Sequence, residues 1–158
     1  MDSIIHILTL KPVLVGLHLG FAILGIDLLV WVVGEAIAES GNDKRMKFAA
    51  FAGAISFVMS WIIGGYYYVK FYGKLVKPVI LKSSAPWAHG VFMEAKEHIF
   101  LLIVPLALTV LFITLLGREE IKKNNLRQAL VALASLTAGL GLLIGLMGYI
   151  ISASARWG

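Results

Sequence analysis

Four largely apolar stretches, each of about 20 residues or more, dominate this chain and set what it can become. A lipid-spanning helix needs that length, because the hydrocarbon layer is about 30 Å thick and a helix rises about 1.5 Å per residue. The stretches predict spans over residues 13–38, 46–69, 87–116 and 129–152. Runs this long exceed ordinary strands, and the dyad alternation of a transmembrane barrel is missing. The expected fold is therefore all-α, an integral membrane four-helix up-and-down bundle, with residues 1–158 forming a single transmembrane domain. Composition agrees: 59% of residues are hydrophobic and 15% charged, where soluble domains hold about 45–50% and about 25%. The mean hydropathy is +0.89.

A formal charge of +5 is explained by lysines and arginines flanking the spans, so the expected partner is the lipid bilayer and not nucleic acid. The chain has no cysteine, which excludes disulfides, thiolate metal sites and covalent haem attachment. Met1-Asp2-Ser3 lacks the basic start of a signal peptide, and the N-terminus is expected to be mature sequence. Two connections are compact and charged, Glu39 to Arg45 and Gly117 to Arg127. A third, over residues 70–86, mixes Lys70, Lys74, Lys77 and Lys82 with apolar residues and follows the aromatic belt Tyr66, Tyr67 and Tyr68. It reads as an interfacial segment lying on the headgroups, and residues 1–10 as a second, shorter one. Basic residues divide almost evenly between the two membrane sides and do not orient the bundle. The compact loops are expected to face the cytoplasm, in a prokaryotic inner membrane.

Ionisable residues inside a bilayer are costly and mark candidate functional positions. Here they are confined to two spans: His18, Asp27 and Glu35 in the first, and His89, Glu94, Lys96, Glu97 and His98 in the third. The interiors of the second and fourth spans have none. All four histidines, including His6, fall on one side of the membrane midplane. Measured from Pro12 and Pro86, His18 lies roughly 4–5 Å deeper than His89 and about 9 Å shallower than His98. The first and third spans run parallel and sit diagonally in such a bundle, so histidines facing each other across it can ligate a b-type haem axially.

At about 100° per residue, His89 and His98 point to opposite faces of one helix. Only one can share an iron with His18, unless they serve two haems. Depth favours His98, since His89 lies near the membrane edge, where an interfacial role suits it. His6 precedes the first span and reads as structural.

Other features compete for these side chains. Glu94 and His98 lie one turn apart and could form a carboxylate–histidine metal site, but a di-iron bundle needs Glu-x-x-His pairs that this chain lacks. Asp27 could form a buried ion pair with Lys96, or join Glu94, Lys96 and Glu97 in a proton relay. Ser56, Ser60 and Gly64 form one small-residue stripe, and Thr137, Gly141, Gly145, Gly148 and Ser152 another; both fit close helix packing or a flat macrocycle. No phosphate-binding loop, dinucleotide fingerprint or hydrolase motif is present.

Leu17-His18 near the start of the first span, and Trp87 followed by Lys96 in the third, resemble small four-helix membrane proteins of the HemJ and CopD type. The resemblance covers two helices and implies a membrane haem b protein with His18 carried over as the residue at the haem. Asp27 and the cluster of Glu94, Glu97 and His98 depart from that pattern. The expected function is a membrane cytochrome b that passes electrons within the bilayer, as a small subunit of a larger respiratory assembly with other membrane or redox proteins. One haem b is expected, or two if His89 and His98 serve separate irons. It is thus more an electron-transfer subunit than a stand-alone enzyme. The alternatives are a proton- or ion-conducting subunit and a cofactor-free accessory subunit.

Overall fold

The structure, a computed structural model, describes residues 6–38 and 42–157; the mature N-terminus read at Met1-Asp2-Ser3 lies outside these residues. Helix α1 spans Lys11–Ile37, with Pro12 in its first turn, where the missing amide hydrogen costs no bond. Helix α2 spans Asp43–Tyr67 and is capped by Asn42, whose side-chain oxygen accepts from the amides of Lys44 at 2.9 Å and Arg45 at 3.2 Å. A π-helix follows at Tyr68–Val76, then the short α3 at Lys77–Lys82. A second π-helix, Ala88–Met93, leads into α4 at Glu94–Leu115. Short α5 at Arg118–Lys123 precedes the long α6 at Arg127–Trp157.

Four helical rods are long and apolar enough to cross a membrane: Lys11–Ile37, Asp43–Lys82, Ala88–Leu115 and Arg127–Trp157. The all-α four-helix expectation holds. One boundary is corrected. Residues 70–82 prolong the second rod instead of forming a separate connecting segment. The wide π turn directly precedes Pro78, whose ring crowds the carbonyl four residues back and offers no amide hydrogen, so the helix loosens there without ending. The reversal comes at Ser83, where the hydroxyl donates to Ile80 O at 2.8 Å and accepts from the Ala85 amide at 3.1 Å.

Helices α1 and α4 each pack against both α2 and α6, and so stand diagonally. The core runs along the bundle axis and is rich in alanine: Ala49, Ala50, Ala107 and Ala134 are fully buried among Leu29, Val32, Phe57 and Ile103. Small residues let backbones approach where lipid supplies no hydrophobic drive between helices. The outer surface is the reverse, with Phe112 and Leu142 each 63% exposed amid many other large apolar side chains. Such a surface suits lipid and would aggregate in water. At one end of the bundle a second, smaller core joins Tyr72, Ile80, Ala88 and Ile151, closing α3 and the second π-helix onto α6.

At the other end, two arginines secure the C-terminus of α1. Arg127 donates through Nε to Ala36 O at 2.9 Å and through Nη2 to Ile37 O at 2.5 Å. Arg118 donates to Ala38 O at 3.2 Å and to Glu35 O. The last carbonyls of a helix have no intrahelical donor, and cations there also offset the helix dipole.

An even number of spans returns the chain to the side where it began. Because the native chain lacks cysteine, single cysteines report topology cleanly. Lys11→Cys and Arg156→Cys should label with an impermeant thiol reagent from one membrane face, and Lys44→Cys and Lys122→Cys from the other. Labelling of the first two from opposite faces would rule out the four-span arrangement.

Candidate functional site

The intramembrane polar groups gather around one contact between α1 and α2. Ser60 is fully buried, and its hydroxyl donates to the backbone oxygen of His18 at 3.0 Å. His18 Nδ1 lies 2.9 Å from Ser60 O and 3.0 Å from Ser60 Oγ. A carbonyl only accepts, so Nδ1 carries the proton and donates to it. Nε2 is then the lone-pair nitrogen, the form of imidazole that binds metals. Gly64 makes room for this: a Cβ built there would come within 2.6 Å of His18 Nδ1. The small stripe on α2 is thus where the imidazole rests on that helix.

Across the diagonal, Phe100 on α4 meets the His18 ring edge-on, with centroids 6.0 Å apart. Lys96, one turn before Phe100, lies within electrostatic range of both His18 and Glu97. Its Nζ is 3.2 Å from where a Cβ of Gly148 would stand, which explains one glycine of the α6 stripe. Gly141 explains another, since its Cβ would come within 2.8 Å of Ile26. Between them Gly145 meets nothing within 4 Å, leaving open space on that face of α6.

A second polar group sits towards the bundle end. Tyr72, almost wholly buried, bonds His89 Nδ1 through its hydroxyl at 3.0 Å. Tyr68 stacks on Tyr72 with centroids 5.2 Å apart, and its own hydroxyl is paired with Glu97. Half-buried His89 therefore belongs to the aromatic end cluster. Nothing in the spacing of the third span identified Tyr68 or Tyr72 as its partners. Tyr68 belongs to the aromatic belt and Tyr72 to the segment read as interfacial, and the helical continuation of α2 carries both to the bundle end.

His98 lies elsewhere. It is exposed, and its Nδ1 donates to Glu94 O of the same helix at 2.7 Å. It points about 200° from both Lys96 and Phe100 on the helical wheel, away from the face that meets His18. The structure does not bring His98 and His18 together. The Glu94–His98 contact uses the backbone oxygen of Glu94 and not its carboxylate, and no cluster of three or more His, Cys, Asp or Glu able to hold a metal ion occurs among the described residues. His6 is exposed, and its carbonyl accepts from Thr9 at 3.0 Å.

Asp27 is not paired with Lys96. It faces outward from α1, exposed, with no hydrogen bond or ion pair among the described residues. The wheel explains this: Asp27 lies about 180° from His18, and His18 faces the bundle. A charged aspartate near a helix centre in lipid costs about 2.5–3.5 kcal/mol on insertion scales. Glu35, by contrast, is structural: its carboxylate accepts from the Asn42 amide at 2.8 Å and from Trp31 Nε1 at 3.1 Å, fastening the loop to α1.

Comparison with known proteins gives no matching family model, no matching curated protein and no matching solved structure.

The close approach of His18 to α2 is directly testable. Gly64→Val forces the imidazole off Ser60 or the helices apart, and overpacking of this kind typically costs about 1–3 kcal/mol. Gly65, where a Cβ meets nothing within 4 Å, is the control. Thermal unfolding in detergent should fall clearly for Gly64→Val and stay level or rise for Gly65→Ala, since alanine is the better helix former. Equal tolerance at the two positions would contradict the His18–Gly64 contact.

Proposed function

We propose that this chain is a membrane-embedded haem b protein in which His18 supplies an iron ligand. In this reading it passes electrons within the bilayer as a small subunit of a larger respiratory assembly in a prokaryotic inner membrane. One observation carries the reading: Ser60 fixes the proton of His18 on Nδ1 and leaves Nε2 as a free donor inside an apolar bundle. A bond from the other ring nitrogen to a backbone carbonyl is how proteins orient an imidazole towards a metal and raise its basicity. The fit is thus one of donor chemistry.

When bound, haem b supplies a one-electron ferric–ferrous couple. The chain's own residues bind, orient and insulate. His18 would hold the iron, with Ser60 fixing its tautomer and Gly64 its seat. Phe100, edge-on to the imidazole, would help to exclude water, and a dry surround favours the less charged of two redox states. Lys96, on the inner face of α4 within electrostatic range of His18, would supply a second ligand once its amine is neutral. His89, whose Nδ1 is bonded to the Tyr72 hydroxyl, would be the next.

An ultraviolet–visible spectrum of protein purified after expression with ample haem tests this. Wild type should show a Soret band and reducible α and β bands. His18→Ala should abolish haem binding or turn a low-spin spectrum high-spin. His98→Ala should leave spectrum and haem content unchanged, and of Lys96→Met and His89→Ala the one that removes the second ligand should mimic His18→Ala. A colourless wild type, or an unaltered spectrum in His18→Ala, refutes the assignment.

A second reading, a proton- or ion-conducting subunit, draws on the succession of polar groups from His89 and Tyr72 through Tyr68 and Glu97 to Lys96 and His18. A colourless protein whose reconstituted vesicles conduct protons, and lose that conductance in Lys96→Met, would favour it.

A further inference from the structure

Asp27 is an intramembrane acid that the bundle turns towards lipid without a hydrogen-bond or ion-pair partner among the described residues. It stands three residues beyond the midpoint of α1, about 4–5 Å from the centre of the span. From there to Ile37 is about 15 Å, too far for a short aspartate side chain to reach water. A carboxyl group in this position requires a hydrogen-bonding partner that the single chain does not supply.

The surface around Asp27 has a regular form. Gly16, Gly20, Ile23, Asp27, Val30 and Gly34 follow spacings of four, three, four, three and four residues, the repeat of a coiled-coil seam. At 100° per residue all six fall within an arc of about 80°. Every one is exposed, with Ile23 at 49% and Val30 at 56%. At Gly16, Gly20 and Gly34 an added Cβ meets nothing within 4 Å, so none of these glycines is explained by packing inside the bundle. Leu14, Gly25, Leu29, Val32 and Ala36 line the opposite side of α1 and are buried. Helix α1 thus has two packing faces, and the fold uses only one.

We propose that the outer face of α1 is the interface of a homodimer, in which a second copy of the chain packs in parallel and the two Asp27 side chains meet and share a proton. All copies insert with the same orientation, so a two-fold axis along the membrane normal sets each seam residue opposite its own counterpart at the same depth. Asp27 then faces Asp27. A carboxyl group accepts when ionised and donates when protonated, so two of them satisfy each other once one binds a proton from solvent. The glycines at both ends of the seam let the backbones approach closely enough for so short a side chain to bridge. A straight seam with one hydrogen-bonding residue near its middle is self-complementary, as an isologous contact demands. This interface is independent of whether the chain holds haem.

The absence of native cysteine makes the test direct. In liposomes reconstituted with the full chain, Ile23→Cys and Val30→Cys should form disulfide-linked dimers on mild oxidation. Leu142→Cys, equally deep on the exposed face of α6, should not. Adding Asp27→Ala to Ile23→Cys should lower the cross-linked fraction at least several-fold, whereas Asp27→Asn, whose amide both donates and accepts, should preserve most of it. Thermal unfolding of Asp27→Ala in detergent confirms that the bundle itself persists. The proposal is overturned if Ile23→Cys and Val30→Cys cross-link no more than Leu142→Cys, which would leave Asp27 to a cationic helix of a different protein. It is equally overturned if Asp27→Ala leaves dimer formation intact.

Discussion

Inside hydrocarbon no water is available to bond a peptide group, so every backbone amide and carbonyl must find its partner within the protein. That constraint shapes this molecule throughout. It demands helices where the chain crosses the lipid, and it makes each helix terminus a place where bonds must be supplied from outside. Asn42 meets the demand at the start of α2, and Arg118 and Arg127 meet it at the end of α1. The same rule governs polar side chains. Ser56, Thr109, Thr137 and Ser154 each return a hydroxyl bond to the carbonyl four residues back on their own helix. Ser60 does not, since its hydroxyl crosses to His18 O. This exception marks an interhelical polar contact in the middle of the bundle.

The contact draws its geometry from small residues. Alanines on α2, α4 and α6 bring backbones together along the core, and Gly64 removes the last obstruction between α2 and the imidazole. Close approach has two consequences. It lets a backbone carbonyl serve as acceptor for a side chain on a neighbouring helix, and it holds that side chain in one tautomer. A histidine so oriented presents Nε2 in a defined direction, as a metal ligand or a proton carrier must. On α6 the glycines divide the labour differently: Gly141 and Gly148 receive Ile26 and Lys96, while Gly145 is left open.

Four spans, the all-α fold and the confinement of ionisable residues to the first and third spans were legible in the sequence alone. Each follows from a one-dimensional pattern: span length from bilayer thickness, and facing direction from the 3.6-residue repeat. The pattern also placed Asp27 opposite His18. It could not say which of the two faced the bundle, because both sides of α1 are largely apolar and lipid is as apolar as a core. Tertiary packing decided that His18 turns inward and Asp27 outward, and that His98 faces away from the side of α4 that meets His18. It also joined residues 70–82 to the second helix, bringing Tyr72 to His89. And it made Ser60, legible only as a member of a small-residue stripe, the group that sets the imidazole. The physical reason is common to all of these. A helical repeat fixes which residues share a face, but which face meets which neighbour depends on close packing between helices distant in sequence, and that exists only in the assembled bundle.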